Sequence, residues 1–449
     1  MTAVPGVRTR IAVIADDLTG AGDTAVQFVK QGLRTIVLLG SAVPPGGSEA
    51  EVVAIDSRSR SLPPEEAYGR VAGIAAHLRD SRFGLLFKKI DSTFRGNIGR
   101  EIDAVLDVWG QGLALVVPAF PGNGRTTVAG YLLLRGAPVE ATEIGRDPLG
   151  PVTESHIPTL LAGQTARRVG HVGIKDVAAG AEGIRAALER LAAAGKQVIL
   201  CDAWQDEHLR LAAGAALCLG RPVLWVGSAG LAGHLPAALG LAAAPPATSR
   251  AARPPGAGSP VVVLAGSGSD VTRGQVRMLA ARPTVARVVA DPGGLLRPEE
   301  AAREIGRCAA AALAAAAAGK DVVITVGRGG ASREPVRAGA PGATRFVQEA
   351  AERVAAGLGE LCRRIATGTA LGGLVLTGGD TARGCIDSLS AAGFAVRAEV
   401  APGIPLGFLQ GGPCDGLPVV TKAGAFGDAD ALVRAVDCLR APGREGAGS

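Results

Sequence analysis

The sequence predicts an α/β protein of two doubly wound domains, each on a mostly parallel sheet, with an interdomain cleft. Three observations predict it. Short β-rich runs alternate with Ala/Leu/Arg-rich helical stretches along nearly all 449 residues, the order that winds helices over a parallel sheet. Several of the runs are continuously apolar, as strands buried on both faces are. The 65 glycines gather where apolar runs end, which marks tight turns and not a collagen-like or linker-like chain.

In chain order, the first half offers strands at 11–17, 35–40, 51–57, 85–92, 114–120, 197–203 and 222–228, with helices between them such as 182–194. Residues 239–259 break the rhythm with paired prolines, several alanines and neither period, and read as a linker. A second series follows, with strands at 260–267, 287–291, 321–327, 374–380, 395–400 and 417–424. The expected organisation is therefore 1–238 as one domain, 239–259 as linker and 260–449 as a second domain. No 20–50-residue repeat supports a solenoid.

Composition removes several classes. With 47% hydrophobic residues the chain buries a core and is not disordered. No apolar run reaches the length of a membrane span, and the first residues lack an apolar leader pattern. The seven cysteines show no C-x-x-C spacing, so neither zinc nor a disulfide framework is supported, and a cytoplasmic location is expected. The net charge of +6 comes with only 3% aromatics and no basic block. That excludes the stacking platform of a nucleic-acid binder and suits an anionic small molecule.

Ligands of open α/β sheets lie beyond the C-terminal ends of the strands. In the second half, three such ends are glycine turns that lead into helices: Gly266-Ser267-Gly268-Ser269-Asp270-Val271-Thr272, Thr377-Gly378-Gly379-Asp380-Thr381 and Thr421-Lys422-Ala423-Gly424. Glycine lets the backbone approach a phosphate, and free N–H groups with the helix dipole stabilise its charge. One such turn is also what an ordinary cap produces; three, one bearing a scarce lysine, point to a polyphosphate. The G-x-x-x-x-G-K-[ST] loop is absent, and Val271 occupies the third glycine position of a dinucleotide fingerprint. A fourth turn, 402–407 around Gly403, reads as the wall of an adenine pocket or as a rigid structural loop.

The first half concentrates charge at its strand ends. Asp16, Asp17 and Asp23 fall within eight positions, able to hold hydroxyls, ligate Mg²⁺ or accept a proton. Lys88, Lys89, Asp91, Ser92, Arg95 and Asn97 form the densest polar cluster, and cations of this density imply a bound anion. Asn123 and Arg125 on a Pro/Gly loop, with Asp56 and Arg58 at another strand end, complete a wall. The turn Gly227-Ser228-Ala229-Gly230 is a further anion-friendly candidate. The five histidines are scattered and receive no chemistry.

The motifs ADDLTGAGDTAVQF, KKIDSTFRGNIGREIDA, PAFPGNGRTT, GSAGLA, GSGSDVT, TGGDTA, PGIPLG and TKAGAFG, in this order, resemble the four-carbon acid sugar kinases over about residues 10–432. The resemblance implies an N-terminal sugar-acid domain, a C-terminal ATP domain and transfer of the γ-phosphate to the terminal hydroxyl of a tetronate. It implies that Ser267, the stretch Gly378–Thr381 and Gly424 touch ATP, and the turns add Ser269, Thr272, Gly379, Asp380, Gly403 and Lys422. The KKIDST form with RGN is more similar to D-threonate and D-erythronate kinases than to 3-oxo-tetronate kinases. Ala423 departs from the family, where serine is common. On this view Mg²⁺ bridges the phosphates with unassigned protein ligands. Lys88, Lys89 or Arg95 pairs with the substrate carboxylate, and Asp17 is the base, with Asp16 and Asp91 as rivals. The partners are then ATP and a small sugar acid, with no nucleic acid or membrane; a homo-oligomer is compatible with the sequence. Two other readings stay open: a ribokinase-like kinase, because Gly20-Ala21-Gly22-Asp23 imitates its anion-hole motif, and a two-lobed sugar-acid-binding protein without chemistry.

Overall fold

The computed structural model describes residues 10–40, 49–81, 83–110, 112–147, 150–241, 258–327 and 343–440, with the side chains of the last stretch from 346 onward. The chain divides into two compact units, Met1–Ala247 and Thr248–Ser449. Most of the expected linker, 242–257, lies outside the described residues.

The strands of the first unit are β1 (Ile11–Ala15), β2 (Thr35–Leu38), β3 (Val52–Asp56), β4 (Leu85–Lys89), β5 (Ala114–Val117), β6 (Arg125–Val128), β7 (Tyr131–Leu134), β8 (Ala137–Pro138), β9 (Val169–Val172), β10 (Val198–Cys201) and β11 (Leu224–Gly227). Its helices are α1 (Leu18–Lys30), α2 (Pro64–Asp80), α3 (Ile98–Trp109), α4 (Ile157–Ala162), α5 (Ile174–Ala178), α6 (Gly180–Ala193), α7 (Asp206–Leu217) and α8 (Ala229–Ala238). Eight strands form a parallel sheet in the order β2-β3-β1-β4-β11-β5-β10-β9. The continuous apolar runs have the expected cause. Ala12 and Ile14 of β1 join a core with Val71 and Ile74 of α2 and Ile102 and Val105 of α3. With a side-chain period of two, Ile11 and Val13 fall on the opposite face, and they too are fully buried.

Two features of this unit were not expected. β9 extends the sheet edge, and β6-β7-β8 form a separate antiparallel sheet. β9 (VGHV) and β6 (RTTV) mix polar residues or glycine into short runs, and β7 (YLLL) buries only alternate residues. The connection that matters most is the reversal at β1. The chain leaves β1 toward β3 and β2, then returns past β1 to β4 and continues toward β5. Beyond the C-terminal ends of β1 and β4 the crossovers diverge and open a crevice.

The second unit repeats the plan. Its strands are β12 (Val261–Ala265), β13 (Val285–Ala290), β14 (Asp321–Val326), β15 (Gly373–Thr377), β16 (Gly393–Ala401), β17 (Ile404–Gln410) and β18 (Pro418–Lys422). Its helices are α9 (Asp270–Ala280), α10 (Pro292–Leu296), α11 (Pro298–Ala317), α12 (Ala343–Gly368), α13 (Gly379–Ser388) and α14 (Ala431–Arg440). The strand order is β13-β14-β12-β15-β18-β17-β16, parallel from β13 to β18, with β17 antiparallel to both its neighbours. Here the reversal falls between β12 and β15. The reading of 402–407 as a single turn is corrected: Ile404–Gly407 is strand, and only Pro402-Gly403 turns. Pro405 is tolerated because it sits at a bulged register opposite Glu399, before pairing with β18 begins at Leu406.

Candidate functional site

At the crevice of the first unit, Asp16 and Asp17 follow β1. Asp17 caps α1, accepting from Gly20 N at 2.8 Å and Thr19 Oγ1 at 2.7 Å. The side chain that organises both carboxylates is Arg60, on the loop after β3. Its Nε reaches Asp16 Oδ2 at 2.7 Å, its Nη2 reaches Asp16 Oδ1 at 3.0 Å, and it bonds both oxygens of Asp17 at 2.8 Å. The sequence reading named Arg58 and missed Arg60. Arg58 has φ +50 and is exposed, two residues before the arginine that turns inward. The adjacent, otherwise unpaired Asp16 and Asp17 were the signal that a cation must face them.

The cluster after β4 splits by role. Lys88 is fully buried, 2.7 Å from Glu101 Oε2 of α3, and donates to Ile14 O and Lys89 O. Asn97 gives its amide to Leu62 O at 2.8 Å and Ser59 O at 3.2 Å, tying the loop after β3 to the start of α3. Asp91 accepts from Arg95 Nε at 2.8 Å and from Thr93, and Arg95 also reaches Asp147 at 3.1 Å. Ser92 makes no hydrogen bond through its Oγ among the described residues. Lys89 points the opposite way from Lys88 and lies 3.6 Å from Asp23 Oδ1. Its ammonium fills the slot left by Gly20, where a Cβ would stand 2.9 Å from Nζ.

Charge settles what each carboxylate can do. Burial pushes Asp17 up, but Arg60 and Lys89 outweigh it and hold the carboxyl below its ordinary value. Asp91 is held well below the carboxylate range by Arg95 and Arg60 against the same burial. Asp23 behaves differently: burial pushes it up to about 6, with Lys89 opposing. Arg125 on β6 is buried and bonds Asn123 O; burial lowers it, and Arg135 and Arg95 add to that. Its coupling to Asp91 and Asp23 places it at this crevice. Asp56 is spent on Arg58 N at 2.8 Å. Ser228 is fully buried, capping α8 and bonding Ala119 O at 2.7 Å, while a Cβ on Gly227 would meet Val117 O at 2.7 Å. That turn is packed into the fold and offers no anion site.

In the second unit the three glycine turns converge beyond β12, β15 and β18. Gly378 has φ +102 and stands at the N-cap of α13 with no side chain capping the first turn. The opening N–H groups of α13 therefore have no side-chain cap. A Cβ on Gly266 would collide with Thr381 Oγ1 at 2.0 Å, and one on Gly424 with Ser267 Oγ at 2.1 Å. Ser269 caps α9 and donates to Gly424 O at 2.8 Å, as does Thr272 Oγ1 at 2.8 Å. Gly379 and the exposed Asp380 open α13, followed by buried Thr381. Lys422 is almost fully buried and donates to Ala423 O, Gly424 O and Phe426 O at 2.8, 3.1 and 3.1 Å. Burial lowers it to about 7. Gly403, at the tip between β16 and β17, gives its N–H to Glu399 at 2.9 Å. β16 runs parallel to β18, so this tip lies on the same rim.

The comparisons agree with this division. A family model described as a sugar-binding N-terminal domain matches residues 11–235, and one described as a nucleotide-binding C-terminal domain matches 262–432. A D-threonate kinase of Salmonella typhimurium strain LT2 is 36% identical over 428 residues, covering 95% of this chain and 97% of that protein. A D-erythronate kinase of Heliobacterium modesticaldum is 34% identical over 437 residues, covering 96% and 97%. A solved chain from Salmonella typhimurium LT2 superposes with a TM-score of 0.75 at 27% identity, over 95% of this chain and 98% of that one. With both halves matched and full-length kinases at this identity, the chain belongs to the four-carbon acid sugar kinases.

Proposed function

We propose that the protein transfers the γ-phosphate of ATP to the terminal hydroxyl of a four-carbon sugar acid, D-threonate or D-erythronate, in the cytoplasm. The observation that carries this is the uncapped start of α13 behind Gly378, set where the strand order reverses and flanked by the Gly266 and Gly424 turns. Such a cradle suits a triphosphate. Ser267, Gly378–Thr381 and Gly424 are the proposed ATP contacts. Lys422 stands behind them, its charge turned to the loop carbonyls.

Among the described residues no three His, Cys, Asp or Glu side chains group as a metal site. Mg²⁺ keeps several waters and takes one or two carboxylates beside substrate phosphates. Asp380 is the carboxylate that the α13 turn offers it. When bound, Mg²⁺ would neutralise charge on the phosphates.

For the sugar acid, the crevice offers Lys89, Arg95 and Arg125 as cations and Ser92 and Asp91 for hydroxyls. Lys88 drops out of the proposal because Glu101 already neutralises it away from solvent. Asp17 drops out as the base because Arg60 holds it and its oxygens also cap α1. Incubation with ATP, Mg²⁺ and D-threonate, D-erythronate or 3-oxo-tetronate, followed by ADP measurement, tests the reading. ADP release is expected with a threonate or erythronate. Turnover of the 3-oxo acid alone would move the substrate to the sister activity, and ATP left intact with all three would end the proposal.

A further inference from the structure

We propose that Asp23, in the second turn of α1, is the catalytic base that takes the proton of the sugar-acid hydroxyl. The inference rests on the kinase reading above and names a residue within its sugar-acid crevice.

Three of the carboxylates at this crevice each hold an arginine with both oxygens. Asp16 and Asp17 each give both oxygens to Arg60, and Asp91 gives both of its oxygens to Arg95. A base needs an accessible oxygen and a proton affinity near the working pH; Arg60 clasps Asp16, and Asp17 and Asp91 are held below their ordinary values. Asp23 is different. Its Oδ1 accepts from Thr24 Oγ1 at 3.1 Å and lies 3.6 Å from Lys89 Nζ. Oδ2 has no hydrogen-bond donor among the described residues, and the side chain keeps 9% of its surface exposed. The helix places it there: Gly20 and Asp23 are three residues apart on one face of α1. The absent side chain at Gly20 admits Lys89 between Asp17 and Asp23.

The charged groups that face Asp23 come from four elements: Lys89 at the end of β4, Asp17 before α1, Arg60 on the loop after β3 and Arg125 on β6. Burial dominates their sum and lifts the carboxyl to about 6, close enough to neutrality for proton transfer in either direction. In the step, the substrate O–H bond breaks and its proton passes to Asp23 Oδ2. The hydroxyl oxygen bonds to the γ-phosphorus, the bond from that phosphorus to the β–γ bridging oxygen breaks, and ADP leaves with the electron pair.

The test uses the full-length protein with ATP, Mg²⁺ and the tetronate that wild type turns over; absence of any wild-type turnover would sink the kinase reading itself. Asp23→Asn is expected to lower kcat by about 10²–10⁴-fold, with KM for ATP within about twofold, and to abolish the acidic limb near pH 6 in kcat/KM. Asp23→Glu should recover part of the rate. Lys89→Met keeps the carboxylate but removes its nearby cation, so the acidic limb should move to higher pH. This second variant keeps the test open if Asp23→Asn folds poorly. An Asp23→Asn enzyme within about threefold of wild type, or an acidic limb unmoved in Lys89→Met, would overturn the assignment.

Discussion

Lys422 shows how a single side chain is fixed by surroundings that its sequence neighbours only partly announce. Its place after an apolar strand and before Gly424 marked it as a phosphate-facing lysine, yet its ammonium folds back onto three carbonyls of its own loop. Lys422→Met should therefore destabilise the protein, by about 1–3 kcal/mol for each buried acceptor left without a donor. The pH dependence has a definite sign. Burial lowers the folded-state value to about 7, so between pH 7 and the ordinary lysine value the unfolded chain binds more protons, and stability rises with pH through that window. Lys422→Met lacks this gain. The gap in Tm between wild type and variant should widen from pH 7 to 9.5 and stay level below 7; a gap that stays constant throughout would remove the buried-cation account. Arg60 illustrates the converse. Arg58 and Arg60, two residues apart after β3, look alike in sequence, and only packing decides which one meets Asp16 and Asp17.

At the scale of elements, the join between β4 and α3 depends on the Lys88–Glu101 pair. Both side chains are essentially inaccessible, and burial raises Glu101 against the pull of Lys88. Such a pair is costly to break, because one partner alone is an uncompensated buried charge. Glu101→Ala should cost about 3–5 kcal/mol, read as a shift in the urea midpoint, while a loss under 1 kcal/mol would show that water reaches Lys88 freely. The strands of both parallel sheets were legible as apolar runs, since burial on two faces leaves a continuous hydrophobic signature. β9, with glycine and histidine in a four-residue strand, carries little of it. In the hairpin sheet β6-β7-β8 only alternate residues of β7, Leu132 and Leu134, enter the core. The Ile404–Gly407 segment misled because proline and glycine are usual turn residues, whereas the bulge opposite Glu399 lets Pro405 sit in a strand.

For the whole molecule, the assignment of nucleotide to the second unit and sugar acid to the first predicts two separate footprints. Amide exchange in the intact protein should slow at 266–272, 377–382 and 421–427 when ATP and Mg²⁺ are added. A tetronate alone should slow 16–23 and 88–97, and nucleotide protection appearing at 16–23 instead would reverse the assignment. Both candidate sites were legible as regions because glycine turns and charge clusters at strand ends are local properties of the chain. Their internal chemistry was not. Asp17 was the base expected from sequence, where Asp23 was set aside with its look-alike motif; the base we propose is Asp23. The sequence alone determined the α/β class, the two-part order and the strand ends that carry the chemistry, since hydrophobic period and turn chemistry act within a few residues. Only the tertiary structure decided which cation neutralises which carboxylate and which carboxyl keeps its proton affinity, because Coulomb interaction and desolvation depend on distances between residues far apart in the chain.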